Sequence, residues 1–267
     1  MERRLVDEIL DELIHKMADS FVEDVRIGLF YTGVKLSNGS GGVAYTPKED
    51  AFTSVCCPKS YRSLKGAGTF SGSETEELVG LIKSRNPFKR AIGVATINAA
   101  SSNLLFDEGR YDVMYDMDAL DLVEIGPDDR VGMIGAFTPY IGRLKGKVKG
   151  LNVFERNEEV MKEYGLKGLG PDAYEVLEES NVVIITGATF VTGTIEDVLK
   201  HVGNARDVLL VGPTASMLPD PLFKRGVTAI GGVRMDDVDT MLKVVGEGGS
   251  GYTLGRCCAR KFVLKKS

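Results

Sequence analysis

Five short apolar runs recur from Arg130 onward, at Val131 to Ile134, Val148 to Phe154, Val182 to Ile185, Val208 to Val211 and Val227 to Ile230. Between them lie stretches with helical patterning at Glu158 to Tyr164, Asp172 to Glu179, Ile195 to Val202 and Asp236 to Val245. A strand covered on both faces reads as an unbroken apolar run, and parallel neighbours require a crossover that is usually a helix. The alternation therefore predicts an α/β fold whose second half, residues 123–267, is a Rossmann-like, doubly wound parallel sheet.

The first half, residues 1–122, has a different grammar. Leu5, Ile9, Leu13 and Met17 recur every four residues, which predicts an amphipathic helix over Arg3 to Asp19. Val25 to Tyr31 reads as a strand, and Val34 to Leu36 and Val43 to Tyr45 flank an Asn38-Gly39 turn, so antiparallel strands follow. Glu74 to Lys83 reads as helical, and Asn86-Pro87 opens an apolar helix from Phe88 to Phe106. Two closely packed halves leave a cleft between them as the natural ligand site.

Charge narrows the partners. Thirty-three Lys and Arg against 38 Asp and Glu leave a net charge of -5, with no general attraction for nucleic acid or anionic lipid. The apolar runs fall far below the ~18 residues of a membrane helix, and the N-terminus lacks a signal-peptide core, so the expectation is a cytoplasmic protein. The cysteines form two adjacent pairs, Cys56-Cys57 and Cys257-Cys258, without zinc-ligand spacing, and read as small buried side chains. His15 and His201 read as helix-surface and helix-dipole residues, and Lys145, Lys147 and Lys149 as a solvent face.

In an open parallel sheet the ligand site gathers at the carboxyl ends of the strands. These tips are Gly135 to Pro139, Glu155, Thr186 to Thr189, Gly212 to Ser216 and Gly231-Gly232. Gly132-Met133-Ile134-Gly135 is a degenerate dinucleotide fingerprint, with Glu155 about 20 residues later where a ribose-binding acid belongs. Bulky Phe137 and Pro139 argue against close approach by a pyrophosphate. Thr186, Gly187 and Thr189 suit a polar pocket, while Thr194 reads as the N-cap of the following helix in a capping box with Asp197. Glu247-Gly248-Gly249 is either a helix stop or an acid beside an anion-accepting loop. Asn98, in the apolar helix, either ties that helix to a loop or points into the cleft.

Taken in order, Ser84-Arg85-Asn86-Pro87, Ile97-Asn98-Ala99, Val131-Gly132-Met133-Ile134-Gly135, Val183-Ile184-Ile185-Thr186-Gly187, Gly212-Pro213-Thr214 and Glu247-Gly248-Gly249 resemble the heavy-metal chelation family across nearly the whole chain. The resemblance implies an enolase N-terminal-like α+β domain followed by a Rossmann-like domain partly similar to methyltransferases. It implies a site between the domains and chemistry on flavin-, pterin- or siderophore-like molecules.

The resulting expectation is an enzyme condensing or hydrolysing a chelator precursor. Asn98, Thr186 and Thr189 would orient the ligand, Pro213 and Thr214 would bound it, and Glu247 would exchange protons. Gly135, Pro139, Glu155, Gly187, Gly248 and Gly249 complete the binding set. One alternative is a non-catalytic carrier of a metal or metal-chelator complex; another is a transferase with a nucleotide-like cofactor at Gly135 and Glu155. A metal ion or a nucleotide-like molecule is thus the expected cofactor, with a homodimer as the commonest assembly.

Overall fold

The computed structural model describes residues 3–17, 20–48, 64–106, 109–168 and 171–266. Helix α1 (Leu5–Ile14) buries Leu5, Ile9 and Leu13 and ends with His15 as its C-cap, short of the expected Arg3 to Asp19 span. A three-stranded antiparallel sheet follows, β1 (Val22–Ile27), β2 (Tyr31–Leu36) and β3 (Gly41–Tyr45). Its second turn is the expected Asn38-Gly39: Asn38 Oδ1 accepts from the Ser40 amide at 3.0 Å, and Gly39 takes φ 85°. Helix α2 (Thr75–Val79) tightens into a 3-10 turn over Gly80–Lys83 instead of remaining one helix. Helix α3 (Pro87–Phe106) starts as predicted, with Asn86 Oδ1 accepting from the amides of Phe88 at 2.9 Å and Lys89 at 3.1 Å.

The second part begins with the short strand β4 (Met114–Tyr115). It continues through β5 (Arg130–Ile134), α4 (Thr138–Leu144), β6 (Gly150–Glu155), α5 (Glu158–Tyr164), β7 (Lys167–Gly168) and α6 (Pro171–Glu178). After β8 (Val182–Thr186) come α7 (Ala188–Thr192), α8 (Ile195–Lys200), β9 (Asp207–Val211), α9 (Asp220–Phe223) and β10 (Ala229–Met235). The described chain closes with α10 (Val238–Gly246), α11 (Gly251–Cys257) and β11 (Ala259–Lys265). Eight strands form one sheet in the order β4-β11-β10-β9-β8-β5-β6-β7. Strands β5 to β10 are all parallel, and in chain order they run 3-2-1-4-5-6, the doubly wound arrangement.

Two features depart from the expected pattern. An antiparallel border, β11 against β10 and β4 against β11, extends the sheet. Gly231 and Gly232 lie inside β10 and not at its tip, because a side chain there would strike its neighbours: a Cβ on Gly232 would stand 2.7 Å from the Phe262 ring.

The core follows from alternation along the strands. Val183, Ile185, Val208, Leu210, Ile230, Phe262 and Leu264 face one apolar cluster, while Val182, Ile184, Leu209, Val211, Ala229 and Val263 face another. The first cluster also contains Leu5 and Ile9 of α1 and Ile92, Ala95 and Ile97 of α3, so the two halves share one continuous core. Residues Ala91 to Ala99 are all buried, which makes α3 a central helix covered on every side and not one with a single packed face. The small sheet lies between α3 and α10. A Cβ on Gly42 would sit 2.4 Å from both Ala95 O and Ala99 N, and one on neighbouring Gly41 would sit 2.6 Å from Val238.

Backbone atoms of a buried helix cannot retreat as a flexible side chain can. Gly42→Ala is therefore expected to destabilise the fold by about 3 kcal/mol. Gly203→Ala, where nothing lies within 4 Å of the added carbon, should stay within about 0.5 kcal/mol in chemical denaturation.

Candidate functional site

Strand order reverses between β5 and β8, so the loops leaving their carboxyl ends diverge to opposite sides and open a crevice. A cavity of about 350 Å³ lies there. One wall is Gly135, Ala136 and Phe137 after β5 with Glu155 at the end of β6 and Arg156 and Asn157 after it; the other carries Thr186, Thr189, Thr192 and Thr194. Tyr45, Pro47 and Lys48, which follow β3, bring the N-terminal half to the rim, and Ile134, Phe154 and Val160 add apolar surface.

Gly135 adopts φ 91°, and a Cβ on it would meet the Thr186 side chain at 2.9 Å, so both conformation and space demand glycine. Both carboxylate oxygens of Glu155 are engaged by backbone: Oε2 accepts from the Ala136 amide at 2.8 Å, Oε1 from the amides of Arg156 at 2.6 Å and Asn157 at 3.0 Å. Asn157 Oδ1 caps α5 through the amides of Glu159 and Val160. On the facing wall Thr189 Oγ1 donates to Thr186 O at 2.7 Å, and the hydroxyls of Thr192 and Thr194 lie 3.0 Å apart. Thr194 therefore does not cap α8 by its side chain, and Asp197 pairs with Lys200 instead. Lys48 Nζ sits 4.8 Å from the Phe30 ring centroid; among the described residues neither Lys48 nor Arg156 has a carboxylate partner.

Of the residues picked out from the sequence, Gly135, Glu155, Thr186 and Thr189 meet at this cavity. Gly187 lies just behind, where a Cβ would come within 2.7 Å of Ala215 N; it lets the β8 and β9 tips touch. Asn98 and Thr214 also stand behind the wall. Asn98 is 2% exposed and Nδ2 donates to Val43 O at 2.8 Å and Thr214 O at 3.1 Å, while Thr214 Oγ1 accepts from the Tyr45 amide at 2.9 Å. Of the two alternatives open for Asn98, the structure takes the tie: the amide fastens β3 to the Pro213–Ala215 turn and so sets Tyr45. Pro139 lies in the first turn of α4 and is not on the cavity surface, nor is Pro213.

Glu247, Gly248 and Gly249 are elsewhere. Glu247 is the exposed C-cap of α10, Gly248 takes φ 78°, and the amides of Gly248 and Gly249 close the helix onto Val245 O and Val244 O. This is a helix stop. His201 reaches Glu178 with Nδ1 at 2.6 Å and stacks on Tyr174, whereas His15 is exposed as expected. Lys145, Lys147 and Lys149 are exposed too. Cys257 is exposed and Cys258 buried, with burial pushing its thiol up to about 11; Cys56 and Cys57 lie outside the described residues.

Sequence reasoning missed Tyr45 and Lys48, since nothing local distinguishes a strand end that meets a distant sheet. Arg156 and Asn157 were within reach of the strand-tip rule, because they directly follow Glu155.

Family models described as "Putative heavy-metal chelation" match residues 10–101 and 118–264. The chain belongs to this family. It is 32% identical over 256 residues, 91% of each chain, to an uncharacterized protein of Methanocaldococcus jannaschii. Its fold is also that of two family members of unknown function. A Pyrococcus horikoshii protein has TM-score 0.80 and 24% identity over 98% of this chain and 100% of its own. A Desulfitobacterium hafniense protein has TM-score 0.76 and 24% identity over 98% of each chain. No helix among the described residues is long and apolar enough to cross a membrane.

The family description raises the question of a metal. Among the described residues no group of three or more His, Cys, Asp or Glu side chains could hold one, and Glu155, the carboxylate lining the crevice, is engaged by three amides. These side chains do not fit a metal ion coordinated by protein alone.

Placement separates the two sequence-derived candidates for catalysis. Asn98→Ala would leave two buried carbonyls short of a donor, and a loss of about 2 kcal/mol in folding stability is expected in urea denaturation. Glu247→Ala, at an exposed helix end, should change stability by no more than about 0.5 kcal/mol.

Proposed function

We propose that the crevice binds a small, planar, anionic molecule of the chelator or chelator-precursor class, and that any metal arrives coordinated by that molecule's own donors. The observation carrying this reading is the cavity at the strand-order reversal, where aromatic surface from Tyr45 and Phe137 meets the cations Lys48 and Arg156 and a row of threonine hydroxyls. Aromatic walls suit a flat ring, cations suit an acidic substituent, and hydroxyls suit the ring's polar edge. Its volume, about 350 Å³, is at the lower end of the ~300–1,000 Å³ typical of small-molecule sites.

The flavin-, pterin- and siderophore-like molecules suggested by the family resemblance share these features. Within this proposal the chain acts as a binder first. Glu247, the proton-exchanging residue expected from the sequence, is remote from the crevice and takes no part in this reading. A cytoplasmic homodimer belongs to the same proposal, on the acidic composition and the prevalence of two-fold assemblies.

Thermal-shift and calorimetric titrations with flavin mononucleotide, a pterin carboxylate and 2,3-dihydroxybenzoate, each with and without ferric ion, test the reading. At least one probe should raise the melting temperature, and Lys48→Met should weaken its binding about tenfold. Ferric ion should add stability only together with a chelating probe. Silence from every probe, or binding indifferent to Lys48→Met and Thr186→Val alike, would overturn the assignment.

A further inference from the structure

In doubly wound sheets the glycine turn after the first strand is where a phosphate group meets free backbone amides. Here that turn is intact in shape, with Gly135 at φ 91°, yet the amide it presents is already taken. Glu155 reaches across from the neighbouring strand and accepts the Ala136 amide at 2.8 Å, while its other oxygen closes the amides of Arg156 and Asn157. One carboxylate thus occupies three converging donors on the cavity wall. An anion brought to this point finds these three donors occupied and meets a like charge at close range.

We infer that Glu155 shuts the glycine turn against anions, so that a ligand lies with its acidic group away from Gly135 and a hydrogen-bond donor or cationic group toward Glu155. Of the two positive side chains, Lys48 enters from the opposite half of the molecule, while Arg156 is exposed beside Glu155; among the described residues the facing wall offers threonine hydroxyls and no carboxylate. Glu155 is in this account a specificity-determining residue, and the turn is an anion site held closed by the protein's own side chain. The inference rests on the crevice being the ligand site, but its test needs no organic ligand and so fails or succeeds separately.

Inorganic phosphate is the probe, being smaller than the pyrophosphate that Phe137 and Pro139 obstruct. Titrations of the full chain, read by calorimetry and by phosphorus NMR line width, compare the natural sequence with Glu155→Ala. The variant, with three amides released and the charge gone, should bind phosphate about tenfold tighter or more than the natural chain. Equal affinities, or no binding by a folded variant, would overturn the inference. If circular dichroism finds Glu155→Ala unfolded, Glu155→Gln carries the test: it keeps one acceptor oxygen and removes the charge, so a gain in the same direction is expected and none would refute the idea.

Discussion

Period-two alternation in the central strands is the constraint on which the remaining architecture depends. Adjacent residues such as Ile184 and Ile185, or Leu209 and Leu210, enter different apolar clusters, so both sheet faces must be covered. One face is covered by α4 and its neighbours. The other is covered partly by α3, which comes from the N-terminal half and is buried around its whole circumference from Ala91 to Ala99. A helix so apolar has no solvent face, and it needs the large sheet on one side as much as the small sheet on the other.

That shared core explains how residues far apart in the chain reach one crevice. Gly42 lets β3 approach the α3 backbone closely, Asn98 then ties β3 to the turn after β9, and Thr214 receives the Tyr45 amide. These contacts bring Tyr45 and Lys48 over the tips of β5 and β8. Chemistry and support are therefore divided between different residues. Thr186, Thr189, Glu155 and Lys48 line the cavity, while Asn98, Thr214 and Gly187 hold the elements that carry them.

The electrostatic layout of the crevice bears on what the family's heavy-metal association means for this chain. Its carboxylate is turned toward backbone amides, its cations have no acidic partner among the described residues, and Cys258 is packed against Leu254 O. On the proposed reading this arrangement takes an acidic organic ligand and not a bare divalent ion, because oxygen donors of such a ligand, unlike these side chains, are free to converge on a metal.

From the residues alone the parallel sheet, its five central strands, the Asn38-Gly39 turn and the Asn86-Pro87 helix start were legible, since each rests on local pattern: apolar runs, turn chemistry and capping. The strand-tip rule likewise led to Gly135, Glu155, Thr186 and Thr189. Other positions carried ambiguous local signals. Gly231-Gly232 looks like a loop until Phe262 occupies the space of the absent side chains, and Glu247-Gly248-Gly249 looks like an anion loop until it proves to end α10 away from the crevice. Thr194 looks like a cap although its hydroxyl belongs to the cavity wall. Sequence by itself determined which segments become strands and helices, because that depends on neighbours a few residues away. Tertiary structure alone decided that Lys48 would stand over the crevice and that Glu155 would close the turn of an adjacent strand, because those contacts join residues brought together only when the two halves bury a common core.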